Sequence, residues 1–199
     1  VSKIMGLPLK KLVVSSNRND ILTRFFQTGV MQKRKVVKSL SPSMDIQVSS
    51  NFERLLFDVL NQDDKKVSNL MSNLISKGSF KLSSEEVNII KKDFCAEKTS
   101  DKETLEIIKN FSDKHNFILD PHTATAVGAA KKINDSSETL ILSTAHPYKF
   151  LETIKMATSK EIKIPSQLSN TLDKKEKYDI LGNNLSEVKN YILEKANES

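Results

Sequence analysis

Most apolar positions in this chain recur three and four residues apart, and a few short unbroken apolar runs interrupt that pattern. Phe52, Leu55, Leu56, Val59 and Leu60 predict an amphipathic helix, with Ser49, Ser50 or Asn51 available to cap it and Glu53 in its first turn. Ile21, Leu22, Phe25 and Phe26 predict another. From Val67 to about Phe117 the stripes are helical throughout, over Val67–Lys77, Ser84–Glu97 and Lys102–His115. Gly78 divides the first two, and Ser83 or Ser84 with Glu85 or Glu86 marks a helix start. Helices are also expected over Lys149–Thr158 and Leu185–Ala196. The unbroken runs Leu12-Val13-Val14 and Thr139-Leu140-Ile141-Leu142 predict buried strands of a parallel sheet. Helix, strand, polar loop and helix in succession make a βα unit, so the expected class is α/β.

The polar stretches between these elements hold the candidate chemistry. In open α/β sheets ligands bind off the carboxyl ends of strands, which places the loops Ser15–Asp20 and Ser143–Pro147. Asn17, Asn19 and Asp20 in the first loop either line a site or cap the next helix. Ser143 and Thr144 offer adjacent hydroxyls that suit a small-molecule contact or a strand-end turn. Ser41-Pro42-Ser43 must be extended or turned, because Pro42 disfavours helical angles at Ser41. Asp45 and Gln47 then sit among Met44, Ile46 and Val48, a mixture that fits neither a solvent loop nor a plain core strand. Asp120 is a good N-cap and Pro121 suits the first helical position. His122 either faces a cleft or makes a structural hydrogen bond.

Composition narrows the class further. Of 199 residues 38% are hydrophobic and 28% charged, which suits a soluble globular protein rather than a disordered one. No apolar run approaches a membrane span and no signal peptide is visible, so no membrane association is expected. The net charge of +6 comes mostly from dispersed lysines, with four arginines and no tryptophan, so nucleic acid is not an expected partner. The single cysteine, Cys95, makes no internal disulfide and has no Cys or His at metal-ligand spacing, so no metal is expected. These features fit a cytoplasmic compartment. Val1 is not a start methionine and VSKIMGLP has the pattern of a helix end, so a C-terminal portion of a longer protein is expected.

The stretch SPSMDIQVSSNFERLLFD resembles threonine synthase, a pyridoxal-phosphate (PLP) lyase. VVSSNRNDILTRFF, DPHTATAVGAA and LILSTAHPYKF resemble the same family in the same order. The resemblance implies the C-terminal part of a tryptophan-synthase-β-like (fold type II) enzyme with a largely helical insertion. It implies residues 1–62 as a βα portion of the PLP domain, 63–117 as the insertion, 118–160 as a returning αβα portion and 161–199 as a linker and helix. The implied reaction takes O-phospho-L-homoserine and water to L-threonine and phosphate.

In the family pattern the residue matching Thr144 hydrogen-bonds the pyridine nitrogen of PLP, with Ser143 the neighbouring candidate. Asn17, Asn19, Asp20, Ser41, Ser43 and Asp45 are implied to line the site. The family's cofactor-anchoring lysine and glycine-rich phosphate loop lie N-terminal to the matched region, and this chain has only 5 glycines. No catalytic residue is therefore assigned within it. Alone it is expected to be inactive, with the N-terminal half of the same protein as its partner. Two other classes compete: another fold-type-II PLP enzyme of the dehydratase kind, and a non-enzymatic basic helical binding module.

Overall fold

The computed structural model describes residues 2, 5–133, 137–166, 169, 171 and 174–198. The chain divides into two units, Val1–Lys163 and Ile164–Ser199. In the first, β1 (Leu12–Ser16) leads through a polar loop into α1 (Ile21–Thr28) and β2 (Val30–Gln32). A 3-10 turn over Pro42–Met44 precedes α2 (Ser50–Val59) and α3 (Asp64–Ser76). Then come β3 (Ser79–Lys81), α4 (Ser84–Asp93), β4 (Phe94–Lys98), α5 (Asp101–His115) and α6 (Pro121–Ile133). A second 3-10 turn, Pro147–Phe150, runs into α7 (Leu151–Thr158). The second unit carries α8 (Leu185–Asn197), capped by the Asn184 side chain.

β1 pairs in parallel with β4, from Leu12 opposite Phe94 to Ser16 opposite Lys98. Thr99 extends the ladder by donating its amide to Ser16 O at 2.9 Å. β2 and β3 form a short antiparallel pair with Met31 opposite Phe80. Local chemistry sets the helix bounds. Ser83 and Ser100 each make a full capping box with the glutamate three residues on. Gly29 ends α1 in the left-handed region at φ 73°, where a Cβ is disfavoured.

Two cores result. Phe25, Phe26, Phe52, Leu56, Phe80 and Ile90 lie in the first, between α1, α2, α4 and the β2–β3 pair. Ile107, Ile108, Leu119, Val127 and Ile154 form the second, where α5, α6 and α7 meet. α6 also packs across β1 and β4, which brings its N-terminus near the carboxyl end of β1.

Several expectations are corrected. The run Thr139–Leu142 is not a strand: among the described residues it pairs with nothing, and Leu140 and Leu142 are 88% and 73% exposed. A parallel strand needs ladder partners, and among the described residues the parallel sheet consists of β1 and β4. Ile141 is the member of that run that packs, joining the second core. The helix expected over Ser84–Glu97 stops at Asp93, because Phe94 turns extended and Phe94 and Ala96 pack into the first core with period two. Lys11 Nζ takes up the last helical carbonyls, Lys91 O and Lys92 O, each at 2.7 Å. β1 is longer and less buried than expected, with Val13 40% exposed. The helix end expected at VSKIMGLP falls partly on Val1, Lys3 and Ile4, outside the described residues.

Candidate functional site

Asp45 gathers the loop that follows β1. Its Oδ1 accepts from Asn17 Nδ2 and Asn19 Nδ2, both at 2.8 Å, and from Ser39 Oγ at 2.6 Å. Its Oδ2 accepts the Ser39 amide at 3.0 Å. Asn17 Nδ2 also lies 2.7 Å from Ser39 Oγ and 3.1 Å from Ser41 Oγ. Asn19 reads the backbone of Val37 as a strand would, donating to Val37 O and accepting Val37 N, both at 2.8 Å. Asn17, Asn19, Ser39 and Ser41 are buried, so every donor turned inward has an acceptor. Pro42 makes the 3-10 turn that carries the chain from Ser41 back to Asp45.

Asp20 lies in the same loop but is engaged elsewhere. It holds Arg24 Nε at 2.9 Å and Lys98 Nζ at 2.7 Å, tying α1 to the end of β4. Burial pushes its carboxyl up, and the two cations outweigh that and hold it below the usual carboxylate range.

A second cluster sits at the start of α6. Asp120, 1% exposed, accepts the His122 amide at 2.9 Å, faces His122 Nδ1 at 3.1 Å and takes the Thr123 hydroxyl on its other oxygen. Burial opposes its charge, but the hydrogen bonds from His122 and Thr123 prevail and lower its pKa. His122 Nε2 accepts the Ser43 amide at 3.1 Å, and its ring lies 4.8 Å from that of Phe150. Thr123 Oγ1 accepts the Thr144 amide at 3.3 Å. The two clusters thus join into one wall, from the β1 loop through Ser41–Asp45 and the head of α6 to Thr144. A cleft of about 410 Å³ opens beside it between Lys38–Pro42 and Tyr148–Thr153.

The structure therefore brings Asn17, Asn19, Ser41, Ser43, Asp45 and Thr144 together. Asp20 lies beside them on its own ion pairs, and Ser143 precedes Thr144 without a hydrogen bond of its own. Ser43, Ser143 and Thr144 are exposed, and their hydroxyls make no hydrogen bond among the described residues. Sequence reasoning missed Ser39 and the Asp120–His122–Thr123 relay. Ser39 follows a basic run that conceals it, although the repeated Ser-x-Ser before Pro42 was a visible signal. Asp120 was legible only as a cap. Among the described residues no group of three or more His, Cys, Asp or Glu side chains is placed to hold a metal ion. No helix among them is long and apolar enough to cross a membrane.

The family described as "Threonine synthase, C-terminal" matches residues 123–192. A threonine synthase of Pseudomonas aeruginosa is 36% identical over 200 residues, covering 99% of this chain and 43% of that protein. A crystal structure of PLP-bound threonine synthase from Brucella melitensis superposes with a TM-score of 0.81 at 38% identity, over 96% of this chain and 41% of that one. The yeast threonine synthase structure gives a TM-score of 0.81 at 35% identity, over 100% and 44%. The chain thus spans less than half the length of the relatives it matches, and its fold is that of the fold-type-II enzymes. The chain belongs to the threonine synthase family, of which it matches the C-terminal portion.

Proposed function

We propose that this chain is the C-terminal portion of a cytoplasmic, PLP-dependent threonine synthase. The whole enzyme converts O-phospho-L-homoserine and water to L-threonine and phosphate. The observation that carries the reading is Thr144. It stands at the edge of the hydrogen-bonded wall with its backbone pinned by Thr123 and its hydroxyl free, within a chain 36% identical to a threonine synthase along 99% of its length.

The residues present fit one part of the cofactor. An exposed hydroxyl such as that of Thr144 would donate to an unprotonated pyridine nitrogen, with Ser143 as its neighbour. PLP, when bound, supplies an electron sink for charge developing beside the substrate amine. Thr144, being neutral, would leave the ring nitrogen unprotonated and so temper that sink, in keeping with elimination and addition at the β and γ carbons. Asn17, Asn19 and Asp45 fix the loop that presents Ser43 toward substrate, and Asp20 braces the β1–α1 loop against β4. The residues do not fit the cofactor's phosphate: the 5 glycines are isolated and build no amide cradle. The N-terminal portion of the same protein is the partner that supplies the cradle and the anchoring lysine.

The test is phosphate and threonine formation from O-phospho-L-homoserine with added PLP, using the complete gene product beside the 199-residue chain. Products from the complete protein with none from this chain support the reading. Turnover by this chain alone refutes its dependence on a partner, and silence from the complete protein refutes the activity.

A further inference from the structure

A helix N-cap needs one side-chain acceptor, and asparagine, serine or threonine serves as well as aspartate. Asp120 does more than cap. One carboxylate serves two relays that leave α6 in different directions. Its Oδ1 faces His122 Nδ1 at 3.1 Å, and the far nitrogen of that ring accepts the Ser43 amide at 3.1 Å. Its Oδ2 takes the Thr123 hydroxyl, whose oxygen accepts the Thr144 amide at 3.3 Å.

The polarity of both relays follows from the two backbone amides, which can only donate. Nε2 of His122 must present a lone pair to Ser43, so the ring proton sits on Nδ1 against the carboxylate. Thr123 must present a lone pair to Thr144, so its hydroxyl proton points to the carboxylate. A carboxylate is the acceptor-only group that orients both at once. An asparagine keeps the cap but turns a donor toward Thr123, which takes away the acceptor that orients that hydroxyl's proton.

We infer that Asp120 is a positioning residue that sets the substrate-side loop through His122 and the cofactor-side hydroxyl through Thr123. It keeps Ser43 and Thr144 in register with each other. The inference rests on the threonine synthase reading above. It adds to it a residue that touches neither ligand yet governs both contacts, and it predicts that the two relays separate experimentally.

The experiment uses the complete protein with PLP and O-phospho-L-homoserine. His122→Phe keeps the ring packed on Phe150 and removes the Ser43 acceptor. It should raise KM about tenfold while PLP affinity, read by absorbance titration, stays within about twofold. Thr123→Val removes the Thr144 acceptor and should weaken PLP about tenfold, with Thr123→Ser restoring it. Asp120→Asn should weaken PLP in the same direction as Thr123→Val but by less, because the Thr123 hydroxyl loses only the acceptor that orients it, while the remaining oxygen still serves His122. Nitrogen NMR of the histidine-labelled protein, assigned by loss of the His122 signal in His122→Phe, should show the Nδ1–H tautomer. Parallel loss of KM and PLP affinity in every variant, or the Nε2–H tautomer, would overturn the inference. A wild-type protein that neither binds PLP nor forms threonine overturns the function reading instead, and the inference falls with it.

Discussion

Gly128→Ala tests how tightly α6 is set on the sheet. A Cβ at this position would meet Thr99 Oγ1 at 2.4 Å, Thr99 Cγ2 at 2.7 Å and Ile107 Cδ1 at 3.0 Å. The two Thr99 atoms are not free to retreat. Thr99 is 1% exposed, its hydroxyl donates to Thr125 O at 2.9 Å and its amide closes the ladder on Ser16 O at 2.9 Å. Helix propensity alone favours alanine over glycine by about 1 kcal/mol. Overpacking a tight site costs about 1–3 kcal/mol, and losing the Thr99–Thr125 hydrogen bond adds about 0.5–1.5 kcal/mol. The clash wins, for a net loss of about 0.5–3.5 kcal/mol. Native-state hydrogen exchange at the Thr99 amide and along α6, in the complete protein, reads that loss as a lower opening free energy. In a Thr99→Ala background the same substitution should cost at least about 1 kcal/mol less, since the obstructing atoms are gone. Because α6 also carries Asp120, His122 and Thr123, its displacement should weaken PLP binding as well. A neutral or stabilising Gly128→Ala, with exchange unchanged, would refute the reasoning.

The other expected outcomes are more local. Asp45→Asn turns a donor toward a ring of donors from Asn17, Asn19 and Ser39; it should raise KM for O-phospho-L-homoserine about tenfold, and an unchanged KM would remove this loop from the site. Phe25, fully buried with ring contacts to Phe26, Phe52 and Phe80, should cost about 3–5 kcal/mol in denaturant unfolding when changed to alanine. A loss below about 1 kcal/mol would mean the first core does not depend on it. The Lys132 ammonium, with the Ser100 amide and hydroxyl, holds Glu103 at a pKa of about 2 against an ordinary 4.5. A depressed folded-state pKa adds stability above the ordinary value and loses it as pH falls through the folded one. Glu103→Gln should therefore destabilise at neutral pH by less than about 1 kcal/mol, since the pair is exposed. The difference from wild type should fade between pH 4.5 and about 2, and a difference still undiminished at that lower limit would contradict the assignment.

Helix stripes proved the most legible feature of the sequence. Phe52, Leu56 and Leu60 fall on one buried face as their spacing demands, and Ser83 and Ser100 start helices through their glutamates. Strands were harder to recognise. FCAEK continues a helical stripe on paper yet pairs with β1, because β-structure depends on a neighbour, here 82 residues away in the chain. The run TLIL fails for the converse reason: its composition suits a strand, but among the described residues nothing pairs with it.

The candidate site divides in the same way. The sequence by itself determined the βα class, the helix stripes, the polar loops at Asn17–Asp20 and Ser41–Asp45, and the family they resemble. These follow from local period, capping chemistry and residue identity, which neighbours along the chain decide. Only the tertiary structure decided that Asp45 is the acceptor for Asn17, Asn19 and Ser39, that Asp20 turns aside to Arg24 and Lys98, and that Asp120 reaches Ser43 and Thr144 through His122 and Thr123. A buried polar group must find its partner wherever the fold places one, and no local pattern encodes a hydrogen bond across 79 residues.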